Sequence, residues 1–211
     1  MINLLIADDH PLLLQGLAHA IDRSKYCIVA EAFNGNEALT HLREQKIDVA
    51  ILDIEMPEAD GFSVIKTCRN EQVKTAFIIL TFHKEPSLLA YTKELGIMGY
   101  LLKEEVGKNI NDCLEAVLKG QSYYSESLSN IPSHIEAAYR QLYTDFTPSE
   151  RKILKLINRD FSSKEISEKL FVSVRTVEKH RSNIVSKLHK HIGPINLIDW
   201  IKENKVFIIN L

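Results

Sequence analysis

The chain has 211 residues, 45% of them hydrophobic and 26% charged, with a net charge of −2. This composition is that of an ordinary globular protein and leaves room for a packed core, and the length suits one large domain or two small ones. The charge is unevenly divided: residues 1–124 hold 12 Lys and Arg against 18 Asp and Glu, whereas residues 146–211 hold 13 against 7. An acidic part joined to a basic part points to two tasks, the second on a polyanion. Cys27, Cys68 and Cys113 lie far apart without a CxxC or Cys/His cluster, which argues against a disulfide framework or a zinc site and fits a reducing cytoplasm. Two acids interrupt the opening stretch before it reaches signal length, and no apolar run approaches ~18 residues, so a cytoplasmic location away from the membrane is expected.

In chain order, Ile2–Ala7 has strand length, and Pro11–Ile21 follows as a helix with proline at its first position. Cys27–Ala32 reads as a second strand. Asn34 and Glu37 then open a helix that runs to about Arg43. Val49–Asp53 is a third strand, followed by a loop with Met56, Pro57 and Gly61 and a helix over Phe62–Asn70. Ala76–Thr81, a helix over Pro86–Leu95, and Gly99–Leu102 come next. Val106, Ile110, Leu114, Val117 and Leu118 then repeat at helical spacing up to Gly120. Strands alternating with helices imply a parallel sheet covered on both faces. Five βα units in about 120 residues predict an α/β, flavodoxin-like (βα)5 doubly wound sheet.

From Tyr123 to Asp145 the periodicity weakens and serines gather, which reads as a linker over 123–145 in which Ser133–Leu142 can form a helix. Short helices without strands follow. Thr147, Pro148 and Glu150 form one start signal, Ser162 with Glu165 another, and Ser173 caps a third helix running to about Leu188. A fourth helix covers Ile195–Glu203. The predicted domains are 1–122, the linker 123–145, and 146–211 as a small all-α four-helix domain.

In a doubly wound sheet the working residues lie at the carboxyl ends of the strands. Asp8 and Asp9 end the first strand, Asp53 the third, Thr81 the fourth and Lys103 the fifth. Crowded carboxylates raise one another's proton affinity unless a cation sits among them. A hard divalent ion, Mg2+, suits a few carboxylates and can bridge to phosphate. Such a rim suits in-line phosphoryl transfer, with Asp53 as nucleophile and phosphoacceptor. Asp8 and Asp9 would hold the metal, Asp9 more directly. Lys103 would neutralise phosphoryl oxygens, and the Thr81 hydroxyl would donate to one of them.

The runs LLIADDHP and ILDIEMPEADGF, Thr81 after an apolar strand, and GYLLK resemble the receiver domain of two-component response regulators over about residues 1–122. The resemblance implies that a sensor histidine kinase or a small phosphodonor supplies the phosphoryl group, and that the backbone carbonyl of Glu55 completes the metal shell. It also implies that Thr81 and Tyr100 form a switch in which Thr81 turns toward the phosphoryl group and Tyr100 follows. Two residues depart from the pattern: Phe82, where a small residue is common, and Glu104, where many receivers have proline after the lysine. Haloacid-dehalogenase phosphatases share the chemistry but carry their nucleophile motif on the first strand. Here the acidic pair comes first, so turnover of a separate substrate is not expected.

In the third C-terminal helix Val177, Ile184 and Leu188 share one face, with Arg175, Lys179, Ser182 and Ser186 opposite. A compact polar face on the second helix of a tight pair suits the major groove of DNA. Lys179, Ser182, Asn183 and Glu178 are candidates for base edges. Lys164, Arg175, Thr176 and Lys187, with Arg181 reaching past the inner face, are candidates for phosphates. The run FTPSERKILKLI with SSKEISEKLFVSVRTVEKHRSNIVSKL resembles the LuxR-type helix-turn-helix of the NarL/FixJ response regulators over about 146–209, with the motif itself at Ser162–Arg181. This resemblance implies a homodimer on double-stranded DNA. Leu197, Ile198, Trp200 and Ile201 are then either a dimer surface or the closing part of the domain core.

Overall fold

The computed structural model describes residues 1–128 and 130–211; Ser129, inside the expected linker, lies outside the described residues. Its contacts form two units, Met1–Lys84 with Leu95–Asn130, and Glu85–Glu94 with Ile131–Leu211.

The first unit contains β1 (Ile2–Ala7), α1 (Pro11–Ala20), β2 (Tyr26–Ala32), α2 (Gly35–Glu44), β3 (Val49–Asp53), α3 (Gly61–Asn70) and β4 (Ala76–Thr81). After α4 (Pro86–Glu94), it resumes with β5 (Gly99–Leu102), α5 (Val106–Leu118) and β6 (Tyr123–Tyr124). All strand pairs are parallel, in the order β2-β1-β3-β4-β5-β6. Every residue of β3 is buried, as expected where helices cover both sheet faces. Leu4, Ile6, Val49, Ile51, Ile78, Leu80 and Leu101 share a core with Leu14 and Leu17 of α1 and Ile110, Leu114 and Val117 of α5. The alternate strand residues point to the opposite face.

The chain steps from β1 outward to β2, then returns past β1 to β3. This reversal opens a crevice at the carboxyl ends of β1 and β3, which places Asp8 and Asp53 beside one another.

The sheet has one strand more than expected. Tyr123–Tyr124 lies inside the stretch read as linker but pairs with β5, tied by Tyr123 N–H to the Met98 carbonyl and by Leu102 N–H to Ser125 Oγ. Two residues are too few to carry a readable period. The expected domain limit at 122 is also displaced, since residues up to Asn130 group with the sheet while α4 groups with the helical unit.

The second unit holds α4, α6 (Ser133–Asp145), α7 (Pro148–Ile157), α8 (Ser163–Leu170), α9 (Val174–Ile192), α10 (Leu197–Glu203) and α11 (Lys205–Asn210). Both expected capping boxes form, Thr147 with Glu150 and Ser162 with Glu165. Glu150 is buried and accepts from the Lys187 ammonium at 2.7 Å. Burial pushes its carboxyl up, but Lys187 and the Thr147 cap outweigh that, and its pKa lies below the ordinary glutamate value. Five helices, not four, follow residue 147. The added α11 buries Phe207 and Ile208, and Asn204 separates it from α10. Helix α9 runs past Leu188 to Ile192, where Gly193 at φ 90° ends it. Leu197, Trp200 and Ile201 are buried and Ile198 is exposed, so α10 mainly closes this core.

Gly61 permits the close approach of α3 to the strand end: a Cβ there would lie 2.3 Å from the Asp53 carbonyl oxygen. Gly61→Ala is therefore expected to destabilise the protein by about 2 kcal/mol through overpacking, read as a lowered urea midpoint; an unchanged midpoint would contradict this packing.

Candidate functional site

The strand ends deliver the rim in register, with Ala7 beside Leu52, Asp53 beside Leu80 and Thr81 beside Leu102. Asp8, Asp53 and Thr81 are buried, and the Lys103 side chain is 5% exposed. The Lys103 ammonium lies 2.7 Å from Asp8 Oδ2 and 2.9 Å from Asp53 Oδ2. Burial works against the lysine's charge, but Asp8 and Asp53 outweigh it and hold its pKa above the ordinary lysine value. Burial pushes the Asp53 carboxyl up to about 6, against the opposing pull of Lys103, while the nearby Asp8 charge adds to the rise. Asp53 is thus a carboxylate with little hydration, whose charge is favoured by the Lys103 ammonium and, to a lesser degree, by the Ile54 backbone N–H.

Asp9 lies at the same rim but is tied to a residue that sequence reasoning passed over. His10 donates its backbone N–H to Asp8 Oδ1 at 2.9 Å, and its Nδ1 lies 2.7 Å from Asp9 Oδ1. Its place beside the acidic pair was the available signal. Oxygens of Asp8, Asp9 and a nitrogen of His10 fall within 4.8 Å of one another. Asp8 Oδ2 and Asp9 Oδ1 are buried and accept no well-directed hydrogen bond among the described residues, although cationic or ring nitrogens stand close. Carboxylate oxygens gathered at one strand end, with lone pairs beyond those facing Lys103 and His10, fit a hard divalent cation, and the donor set fits Mg2+.

Thr81 Oγ1 accepts from His83 N–H at 3.1 Å, which leaves its own proton free to donate. The Tyr100 side chain is fully buried and its hydroxyl donates to the His83 carbonyl at 2.9 Å. Both expected switch residues therefore bond the backbone of one residue, His83, on its two successive peptide groups, a convergence that spacing does not reveal. The His83 ring also meets Glu55 Oε2 at 2.9 Å. Phe82 is 61% exposed, with the Lys103 ammonium 5.2 Å from its ring centroid. No cis peptide occurs among the described residues, Glu104 included, and Glu104 instead pairs with Lys84 at 2.7 Å.

In the helical unit, Ser173 caps α9 by accepting from Thr176 N–H, and Phe171 makes the turn from α8 in a left-handed conformation. Val177, Ile184 and Leu188 point inward. Arg175, Glu178, Lys179, Ser182, Asn183 and Ser186 are exposed at spacings of three and four and so share one outward face. Lys164 is also exposed; Thr176 and Arg181 are half-buried, with Arg181 Nε 3.9 Å from Glu178. Lys187 differs from the expectation of a phosphate contact. Its ammonium donates to Glu150 and to the Asp145 carbonyl, because the buried Glu150 charge requires a partner.

Residues 4–115 match the family described as "Response regulator receiver domain", and residues 144–191 match "Bacterial regulatory proteins, luxR family". Among curated relatives, the oxygen regulatory protein NreC of Staphylococcus epidermidis is 30% identical over 217 residues, covering 97% of this chain and 98% of its own. The DNA-binding transcriptional activator EvgA of Escherichia coli is 26% identical over 204 residues, covering 97% and 99%. Among solved structures, RcsB of Salmonella enterica serovar Typhimurium, bound to promoter P1flhDC in the presence of the phosphomimetic BeF3−, superposes with a TM-score of 0.69 at 27% identity, over 96% of this chain and 98% of that one.

Replacing Lys103 by Met removes the one ammonium between Asp8 and Asp53. In chelator-treated buffer, the Asp53 carboxyl, followed by 13C NMR, should titrate above the value of about 6 that it has with lysine present; an unmoved or lowered midpoint would contradict the assigned cause.

Proposed function

We propose, for a chain that belongs to the response regulators, with a receiver domain and a LuxR-type helix-turn-helix domain of the NarL/FixJ kind, that Asp53 is the phosphoacceptor through which DNA binding is controlled. The observation that carries the reading is the Lys103 ammonium shared by two buried carboxylates at the carboxyl rim of a parallel sheet.

An Asp53 oxygen attacks phosphorus, the bond from phosphorus to the donor breaks, and the donor leaves with the bonding pair. The donor is a phosphohistidine of a sensor kinase or a small acyl phosphate. Asp8, Asp9 and the Glu55 backbone carbonyl, with Asp53, would hold Mg2+. When bound, Mg2+ supplies compensation for the charge gathered on carboxylate and phosphoryl oxygens. The Lys103 ammonium follows the charge from carboxylate to phosphoryl oxygen, and the Thr81 hydroxyl donates to another. Because Thr81 and Tyr100 both bond His83, movement of Thr81 changes what holds Tyr100 inward, a local charge change biasing a two-state element. The reaction ends at the aspartyl phosphate and its slow hydrolysis, so the protein serves as a switch rather than a turnover enzyme.

For DNA, the outward face of α9 offers Lys179, Ser182, Asn183 and Glu178 to base edges in the major groove. Lys164, Arg175, Thr176 and Arg181 contact phosphates. Binding as a homodimer to paired half-sites fits this geometry. No helix among the described residues is long and apolar enough to cross a membrane.

The test uses duplex DNA selected from a random-sequence pool by the phosphodonor-treated protein. Wild type should bind it at least about tenfold more tightly after acetyl phosphate and Mg2+ than before, as for a typical coupling free energy, whereas Asp53→Asn should bind alike with and without donor. Equal affinity in all four samples would contradict control through Asp53.

A further inference from the structure

The turn between α8 and α9 exposes three large apolar side chains within four residues. Phe171 is 95% exposed, Val172 41% and Val174 45%. No other stretch of four among the described residues gathers as many. Exposed apolar residues scattered singly are ordinary, whereas a cluster marks a surface that meets something.

The backbone sharpens the point at Phe171. Among the described residues, Glu58, Gln72, Asp160 and Phe171 are the non-glycine positions with positive φ. Of these four only Phe171, at φ 55°, is apolar. Val172 N–H reaches back to the Ser167 carbonyl at 3.0 Å, and Phe171 N–H to that of Glu168 at 3.4 Å. This is the helix-ending pattern whose left-handed position favours glycine, because a Cβ there crowds the following carbonyl. The ring thus gains almost nothing from burial and sits on a backbone that disfavours it. The fold does not account for Phe171, and such an outlier points to a role outside the fold.

The turn is nevertheless fixed. Ser173 Oγ accepts from Thr176 N–H at 3.1 Å and lies 2.8 Å from Thr176 Oγ1, which sets the start of α9 at Val174. Arg175 is exposed beside Val174, and Lys164 and Lys169 are exposed on α8. Of the two acids on α8, Glu165 is engaged with Ser162 in the capping box, and Glu168 is exposed. Neighbouring positive charge, and continuity with the α9 face assigned above to the major groove, favour DNA over a protein as the occupant. In a helix-turn-helix the residues that reach base edges lie at the N-terminal end of the second helix, where Val174 comes first. The apolar feature that the major groove offers is the C5 methyl of thymine.

We propose that Phe171 and Val174 form an apolar finger that reads thymine C5 methyls within the DNA site. The proposal rests on DNA binding by the helical unit and adds a sequence preference to it. Lys179, Ser182 and Asn183 can read hydrogen-bond donors and acceptors on base edges, and a methyl group offers neither. The finger supplies the missing apolar contact from a turn whose geometry is already set.

The test uses the full chain, treated with acetyl phosphate and Mg2+, and the duplex selected above. Each thymine is replaced in turn by deoxyuridine, which removes only the methyl. Affinity is measured for wild type, Phe171→Gly, Phe171→Asn and Val174→Ala, with far-ultraviolet circular dichroism of each. Glycine and asparagine both tolerate the left-handed backbone, so the two Phe171 variants should stay folded. Wild type should lose about fourfold in affinity at one or more thymines, as for one methyl-sized group taken from water. The Phe171 variants should bind the all-thymine duplex about fourfold more weakly and lose the penalty at one of those positions, and Val174→Ala should weaken binding in the same direction. The finger is overturned if folded Phe171 variants bind as wild type does, which would leave the patch to a protein partner, or if every deoxyuridine penalty persists in them. If the Phe171 variants unfold, Val174→Ala decides alone by the same criteria. A wild type that binds no duplex counts against DNA binding by the helical unit itself, and the two failures are thereby told apart.

Discussion

The ammonium of Lys103, held 2.7 Å from Asp8 and 2.9 Å from Asp53, is the interaction on which the sheet unit's chemistry depends. Two carboxylates gathered at this distance from one cation repel by several kcal/mol even at an effective dielectric of about 20. Leaving one of them buried and unpaired would cost about 3–5 kcal/mol. The rim is therefore affordable only with positive charge inside it. Burial, with the neighbouring Asp8 charge, explains the raised Asp53 carboxyl, the two acids explain the raised lysine, and the same crowding gives an oxygen-rich donor set suited to Mg2+. On the proposed reading, a site that already needs a shared cation suits an incoming phosphoryl group, because the compensating charge can transfer to its oxygens without being assembled anew.

The fold supplies this crowding through topology. The chain's reversal between β2 and β3 brings two acidic strand ends together, and β4 and β5 add Thr81 one and Lys103 two strand spacings beyond β3. Gly61 lets α3 start against the Asp53 backbone. The helical unit is organised around a different electrostatic demand. Its buried Glu150 serves the α7 cap and holds Lys187 inward, so the outward charge of α9 comes from residues that no internal acid needs.

Much of this was legible in the sequence because it rests on local rules. Strand and helix periods placed the five principal strands, and the capping signals at Asn34, Thr147, Ser162 and Ser173 formed as read. The acidic rim was legible because topology gathers four separated strand ends, those of β1, β3, β4 and β5, at one edge. What escaped depends on contacts with no sequence period. Two tyrosines make a strand only by pairing with β5. Lys187 reads as a surface cation until Glu150 is seen to be buried. α11 follows α10 after a single buried asparagine, too short a break for turn chemistry to mark. His83 joins Thr81 and Tyr100 through its backbone, which side-chain identity cannot announce.

Phosphorylation itself tests the account most directly. The protein is treated with acetyl phosphate and Mg2+, its intact mass is measured, and the modified peptide is mapped. One phosphoryl group should be gained on the carboxyl of Asp53, and Asp53→Asn should gain none. A protein that stays unmodified, or that carries the group on another residue while Asp53 remains free, would contradict the role given to the Lys103-bridged rim.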